Sequence, residues 1–308
     1  MVIDAEAGER EYVGRVGEVM TTVAPPRNES LRRADSGHPA GSSEAGRREW
    51  RVASAGHLVF AALLIALGIQ GLVTRDFTVV WQPVPKGAPA RGLLVYLCAG
   101  VSLFSGVGLL RRRTARLAAA VLLGLLLLWL LLFRVRALFL ASLIEGTWSF
   151  GETLVIGSAA WVLFVAFSVN PTGTSSVPFA AGDHGMRIAR VLYGLGLIPF
   201  GYAHFANLRG TAALVPAPLP GHVFWACFTG ATFVAAGAAI VLGVCARFAA
   251  TLSAVQMGLF GLLVWVPVLA AGSAGAFSWV EFETTVALTA AAWVVADSYR
   301  VATAPRVR

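Results

Sequence analysis

From about residue 51 onward the chain alternates long apolar runs with short polar punctuation, and most runs are apolar on every helical face rather than on one stripe. Apolar runs of roughly 20 residues match the length of helix that crosses a hydrocarbon core of about 30 Å. The pattern predicts eight membrane helices, at about 52–73, 92–110, from Arg116 onward, 152–170, 187–206, 221–244, 247–271 and 281–298. Pro, Gly and Asn residues punctuate them, notably Pro83, Pro85 and Pro89 after the first helix and Asn170-Pro171 after the fourth.

The apolar pattern is written twice. Trp148-Ser-Phe-Gly-Glu152-Thr153 returns in the second half as Trp279-Val-Glu-Phe-Glu283-Thr284, and Arg116 returns at the same interval as Arg247. Gly71 and Gly100 return one position short of that interval, as Gly201 and Gly230. The Pro-rich loop after the first helix has its counterpart in Val215-Pro-Ala-Pro-Leu-Pro220-Gly221. Four helices per copy is an even number, so both copies enter the membrane from the same side. The fold expected is therefore all-α and polytopic: eight transmembrane helices as two parallel four-helix repeats about a pseudo-two-fold axis along the membrane normal. The expected division is a tail 1–50, a first repeat 51–170, a linker 171–186, a second repeat 187–298 and a tail 299–308.

Composition sharpens this picture. The chain is 57% apolar and 13% charged, which a soluble core of this size would not tolerate. Residues 1–50 hold seven Arg against nine acids and no long apolar run, so they read as a disordered cytoplasmic tail rather than a signal peptide. The net charge of +8 arises beyond them, at helix ends, where it sets orientation and meets anionic lipid; nucleic-acid binding is the wrong reading of it. Arg47, Arg48, Arg51, Arg111, Arg112, Arg113, Arg116, Arg187, Arg190, Arg247, Arg300, Arg306 and Arg308 fall on one side if eight helices are counted. Both termini are therefore expected in the cytoplasm. Cys98, Cys227 and Cys245 form no C-x-x-C or Cys/His cluster, so no metal site is expected.

A few polar residues stand out against this background. Trp148/Glu152 and Trp279/Glu283 read either as helix-start acids with interfacial Trp anchors or as site acids at the membrane boundary. Arg134 and Arg136 replace Trp265 and Pro267 of the second copy, so they fall in the outer third of the third helix. They either snorkel to the interface or form a charged pocket with Glu145 and Glu152 for an anionic or carbonyl-bearing ligand. Tyr202 and His204, near the outer end of the fifth helix, form either part of an aromatic belt or a quinone head-group site. No G-x-G-x-x-G, P-loop, nucleophile elbow or zinc-ligand pattern occurs, and no cofactor is evident from the residues alone.

The second copy resembles the DoxX family of bacterial membrane proteins. The residues that carry the resemblance are Arg187-Ile-Ala-Arg-Val-Leu-Tyr-Gly-Leu-Gly-Leu-Ile-Pro-Phe-Gly201-Tyr-Ala-His204-Phe205, then Leu214-Val-Pro-Ala-Pro-Leu-Pro-Gly-His-Val-Phe-Trp225 and Thr229-Gly230. The resemblance covers about 185–298 and reaches the first copy through the repeat. It implies a four-helix unit in the bacterial cytoplasmic membrane, doubled here, and membership of a quinone-linked redox or thiol/oxidative-stress system with a soluble or membrane redox partner. Where family members often carry a Lys after the helix-5 glycine, this chain has Tyr202 and His204. Two other classes stay open: a small-molecule carrier or permease with its site between the repeats, and a non-catalytic scaffold.

Overall fold

The computed structural model describes residues 54–168, 180–272 and 275–301. The tail 1–50, residues 302–308 of the C-terminal tail and the linker as far as residue 179 lie outside the described residues. Among the described residues there is no strand. The long helical segments are α1 (Ala55–Thr74), α2 (Arg91–Leu110), α3 (Arg112–Leu140), α4 (Leu143–Ser168), α5 (Gly182–Ala206), α6 (His222–Leu242), α7 (Ala246–Ala270) and α8 (Ala276–Val301). A short helical turn, Leu208–Ala213, precedes α6. Six of the long segments, all but α5 and α8, are long and apolar enough to cross a membrane. The other two are interrupted by charge: α5 opens on Asp183, His184, Arg187 and Arg190, and α8 carries Glu281, Glu283, Asp297 and Arg300.

Three helix starts differ from expectation by five residues or more; the fifth begins at Gly182 rather than about 187, inside the expected linker, and the other two matter for the site. The fourth helix begins at Leu143 rather than about 152, and the eighth at Ala276 rather than about 281. Glu152 and Glu283 are therefore not helix-start acids; each sits inside its helix, beyond the free N–H groups that would have stabilised it there.

Each helix packs on its neighbour in the chain, α8 returns to α1, and α4 meets α8 across the middle. α4 is buried over most of its length because it meets α3, α5 and α8. The α5–α6 crossing is closed by glycine. A Cβ on Gly194 would lie 2.8 Å from the Gly237 carbonyl oxygen, and one on Gly201 would lie 2.6 Å from that of Gly230. Both α3 and α7 contain a π-helical turn, Leu130–Arg134 and Gly261–Trp265, separated by the same interval as the Trp/Glu-Thr motif. Such a turn re-aims the side chains on either side of it.

The largest internal difference lies in the loops after α1 and α5. Residues 75–90 turn inward, so that Phe77, Val79, Val80 and Trp81 are buried. Trp81 donates from Nε1 to Ser102 Oγ at 2.9 Å, and Trp129 donates from Nε1 to the Trp81 carbonyl at 2.9 Å. The two indoles meet edge to face at 5.5 Å. Trp81 and Trp129 are thus core residues, not members of an interfacial belt. The corresponding segment 207–221 stays at the surface, with only Ala212 buried.

Candidate functional site

The expected site residues do not form one cluster. Arg134 is 1% exposed, and its guanidinium is committed to the chain's own acceptors. Nε donates to Thr153 Oγ1 at 3.0 Å, Nη1 to the Pro83 carbonyl at 2.7 Å, and Nη2 to the Gln82 carbonyl. Arg134 therefore ties the inward loop, through its cis Gln82–Pro83 peptide, to α3 and α4. Glu152 lies within electrostatic range of Arg134 without a direct ion pair. Arg136, two residues on, points away: it is exposed and has no partner among the described residues. Two residues rotate a helix by about 200°, so the pair could not have shared a pocket. Glu145 is likewise exposed in the first turn of α4.

The two Trp/Glu pairs also differ. Trp148 donates from Nε1 to Glu152 Oε1 at 2.6 Å, one turn along α4. Trp279 is half-exposed, beside Phe282, and makes no such bond; Glu283 Oε1 instead accepts from Gln70 Nε2 on α1 at 2.8 Å. Gln70 carries a signal of its own, being an amide inside an apolar membrane run. Glu281, half-buried on α8, lies within electrostatic range of Glu152 and accepts no side-chain hydrogen bond among the described residues.

Tyr202 and His204 face different surroundings for the same angular reason as the arginines. Tyr202 is 38% exposed without a partner among the described residues, whereas His204 is 6% exposed. The His204 ring stacks on Phe260 at 6.0 Å and meets Phe233 edge-on at 5.5 Å. Its Nδ1 lies 2.7 Å from the Phe200 carbonyl oxygen. A carbonyl can only accept, so Nδ1 carries the proton, and in the neutral ring Nε2 presents a lone pair. Nε2 has no partner among the described residues. Phe200 in turn packs on Trp148 at 4.9 Å and on Phe233 at 5.8 Å. A continuous line thus runs from Glu152 through Trp148 and Phe200 to His204, crossing from α4 to α5.

The residues at the sequence positions that match the His204 cluster are of a different kind. With the repeat laid in register, Thr74 stands where the second copy has His204, Leu103 where it has Phe233, and Trp129 where it has Phe260. The inward loop 75–90 packs Trp81 against Trp129, whereas segment 207–221 stays at the surface and His204 packs among Phe233 and Phe260. Sequence reading missed Phe200, Phe233 and Phe260 as site residues, none of which has a local signal among so many apolar residues, and it met Thr153 only as part of the repeated Trp/Glu-Thr motif. Among the described residues no group of three His, Cys, Asp or Glu side chains could hold a metal ion. The chain matches no protein-family model, no curated protein and no solved structure.

Proposed function

We propose that this chain is a bacterial cytoplasmic membrane protein of two parallel DoxX-like four-helix units, with both termini cytoplasmic, and that its second unit binds a quinone head group at His204. The observation that carries the reading is the orientation of His204: Nδ1–H held by the Phe200 carbonyl, Nε2 unpartnered, and aromatic walls at Phe233 and Phe260. The recurrence of the π-helical turns at the repeat interval, and the pairing of α4 with α5 and of α8 with α1, support the two-unit arrangement. The apolar walls suit a flat ring, and Nε2 can take a proton from a quinol hydroxyl or, once protonated, give one to a quinone oxygen.

In the direction of quinone reduction, one quinone takes two electrons and two protons. Thiosulfate is a suitable donor: two thiosulfate ions are joined through a new S–S bond to tetrathionate and release the two electrons. His204 delivers one proton at Nε2 and water the other, while a redox partner carries the electrons. The test is titration of the purified full chain with a short-tailed quinone, read by quenching of tryptophan fluorescence. His204→Phe should weaken binding roughly ten-fold, the equivalent of one hydrogen bond of about 1.4 kcal/mol. Absence of quinone binding by the wild type would sink the proposal, and quinone reduction by added thiosulfate would extend it to a reaction.

A second reading, a carrier with its site between the repeats, is favoured by the acids Glu152 and Glu281, which lie within electrostatic range of each other on α4 and α8, two helices in contact. Counterflow of a labelled substrate in liposomes, abolished by Glu281→Gln, is its signature. Its presence without quinone binding would replace the first reading.

A further inference from the structure

Three tryptophans are buried among the described residues, Trp81, Trp129 and Trp265, and two of them have an acceptor for the indole N–H. Trp81 donates to Ser102 and Trp129 to the Trp81 carbonyl. Trp265, on α7, is only 6% exposed, yet its Nε1–H has no hydrogen-bond partner among the described residues. A buried indole N–H ordinarily finds a partner, because a donor left unpaired in an apolar interior is costly. We infer that Trp265 Nε1–H is the second polar contact of the ligand held at His204, donating to the ring oxygen opposite the one that meets His204 Nε2. This assignment rests on the reading of His204 as a quinone-binding residue.

The course of α7 connects the two groups. His204 stacks on Phe260 at 6.0 Å, and Phe260 precedes Trp265 by five residues. Along an ordinary α-helix a five-residue step leaves two side chains about 140° apart. The turn Gly261–Trp265 is π-helical, with the Val266 N–H on the Gly261 carbonyl, so the same step closes nearly a whole turn. Phe260 and Trp265 therefore share a face of α7, and Phe277 of α8 meets the indole edge to face at 6.3 Å. In register with Trp265 stands Arg134, whose Nη1 and Nη2 donate to the Pro83 and Gln82 carbonyls of the inward loop. Segment 207–221 stays at the surface, and no carbonyl from it reaches Trp265. A ligand oxygen supplies beside Trp265 the acceptor that the chain itself supplies beside Arg134. A ring with two opposed oxygens fits both ends. With His204 neutral, one hydroxyl of a quinol donates to Nε2 and the other accepts from Trp265.

The test is anaerobic titration calorimetry of the detergent-purified full chain with two probes of identical short tail, a quinol and the phenol that lacks its second hydroxyl. The wild type should bind the quinol roughly ten-fold more tightly, the effect of one hydrogen bond. Trp265→Phe should lower quinol affinity to that of the phenol and leave phenol affinity unchanged. Trp265→Gln, which restores an N–H donor, should recover part of the preference, and His204→Phe should weaken both probes. A quinol preference that survives Trp265→Phe, or equal binding of the two probes by the wild type, overturns the assignment of Trp265 while leaving His204 its role. Loss of phenol binding in both Trp265 variants also overturns it, since that marks packing rather than a donated bond. Binding of neither probe by the wild type removes the His204 reading and this assignment with it.

Discussion

Replacing Arg134 by Met removes two bonds to the inward loop and one to Thr153 while keeping a side chain of similar length. Two loop carbonyls, those of Gln82 and Pro83, and the Thr153 hydroxyl then lose their donor. A buried acceptor left without a partner costs about 1–3 kcal/mol, so the two carbonyls together cost about 2–6 kcal/mol if the loop stays in place. The loop can escape by swinging out to water, but that exposes Trp81, which is fully buried. Exposing about 150–250 Å² of indole surface costs about 4–6 kcal/mol at about 25 cal/mol per Å². The cheaper route caps the loss, so Arg134→Met should destabilise the protein by about 2–6 kcal/mol and raise the population of the open loop sharply. Lys86, the chain's sole lysine, lies in this loop, so endoproteinase Lys-C cuts at one site and reports the opening. An opening made easier by about 3 kcal/mol speeds cleavage roughly 100-fold. Arg134→Lys keeps the charge but not the fork, and should fall between Met and wild type. Wild-type cleavage and stability in Arg134→Met would refute the clamp, and weakened ligand binding with an unchanged loop would instead place Arg134 in a binding site.

Three further outcomes follow from the same geometry. Gln70→Leu leaves Glu283 without its donor and should cost about 1–3 kcal/mol in denaturant unfolding; the double variant Gln70→Leu/Glu283→Leu should recover most of it, and additivity of the two single losses would deny the coupling. Gly201→Ala brings a Cβ within 2.5 Å of Val234 Cγ2 and should cost about 1–3 kcal/mol, whereas Gly100→Ala should be neutral; equal melting temperatures for the two would contradict the close α5–α6 crossing. Asp76, outside the spanning helices, has its carboxyl held below the ordinary carboxylate range by the Phe77 N–H and then by Arg91 at 2.8 Å. Its contribution is present above the ordinary value of about 3.9 and is lost as pH falls through the lowered one. Because the pair is substantially exposed, the wild type should exceed Asp76→Asn by less than about 1 kcal/mol at neutral pH, and a gap that persists at acid pH would exclude this origin.

The positions of the helices could be read from the apolar runs because length and hydropathy are local properties. Their ends could not: Leu143 to Gly151 carries Glu145, two glycines and two hydroxyl residues, so polar content argued against a helix that tertiary contacts with α3 and α5 nevertheless extend. The same limit applies to Arg134 and Arg136, or Tyr202 and His204. Adjacency in sequence grouped them, and helical rotation separated each pair into one buried and one exposed member.

Sequence by itself determined that this is an all-helical membrane protein, that several of its landmark residues recur 130 or 131 positions on, and that Arg134 stands in register with Trp265. Those conclusions rest on the apolar span a bilayer requires and on residue identity in register, neither of which depends on long-range contact. Tertiary structure alone decided what the divergence is for. The partners of Arg134 lie 19, 51 and 52 residues away, and Glu283 and Gln70 are 213 apart. Whether a loop turns inward or stays outside depends on such distant acceptors and on the space available between packed helices. Beside α3 an arginine and a tryptophan hold the loop 75–90 inward, and beside α5 His204 packs among phenylalanines under a loop that stays at the surface.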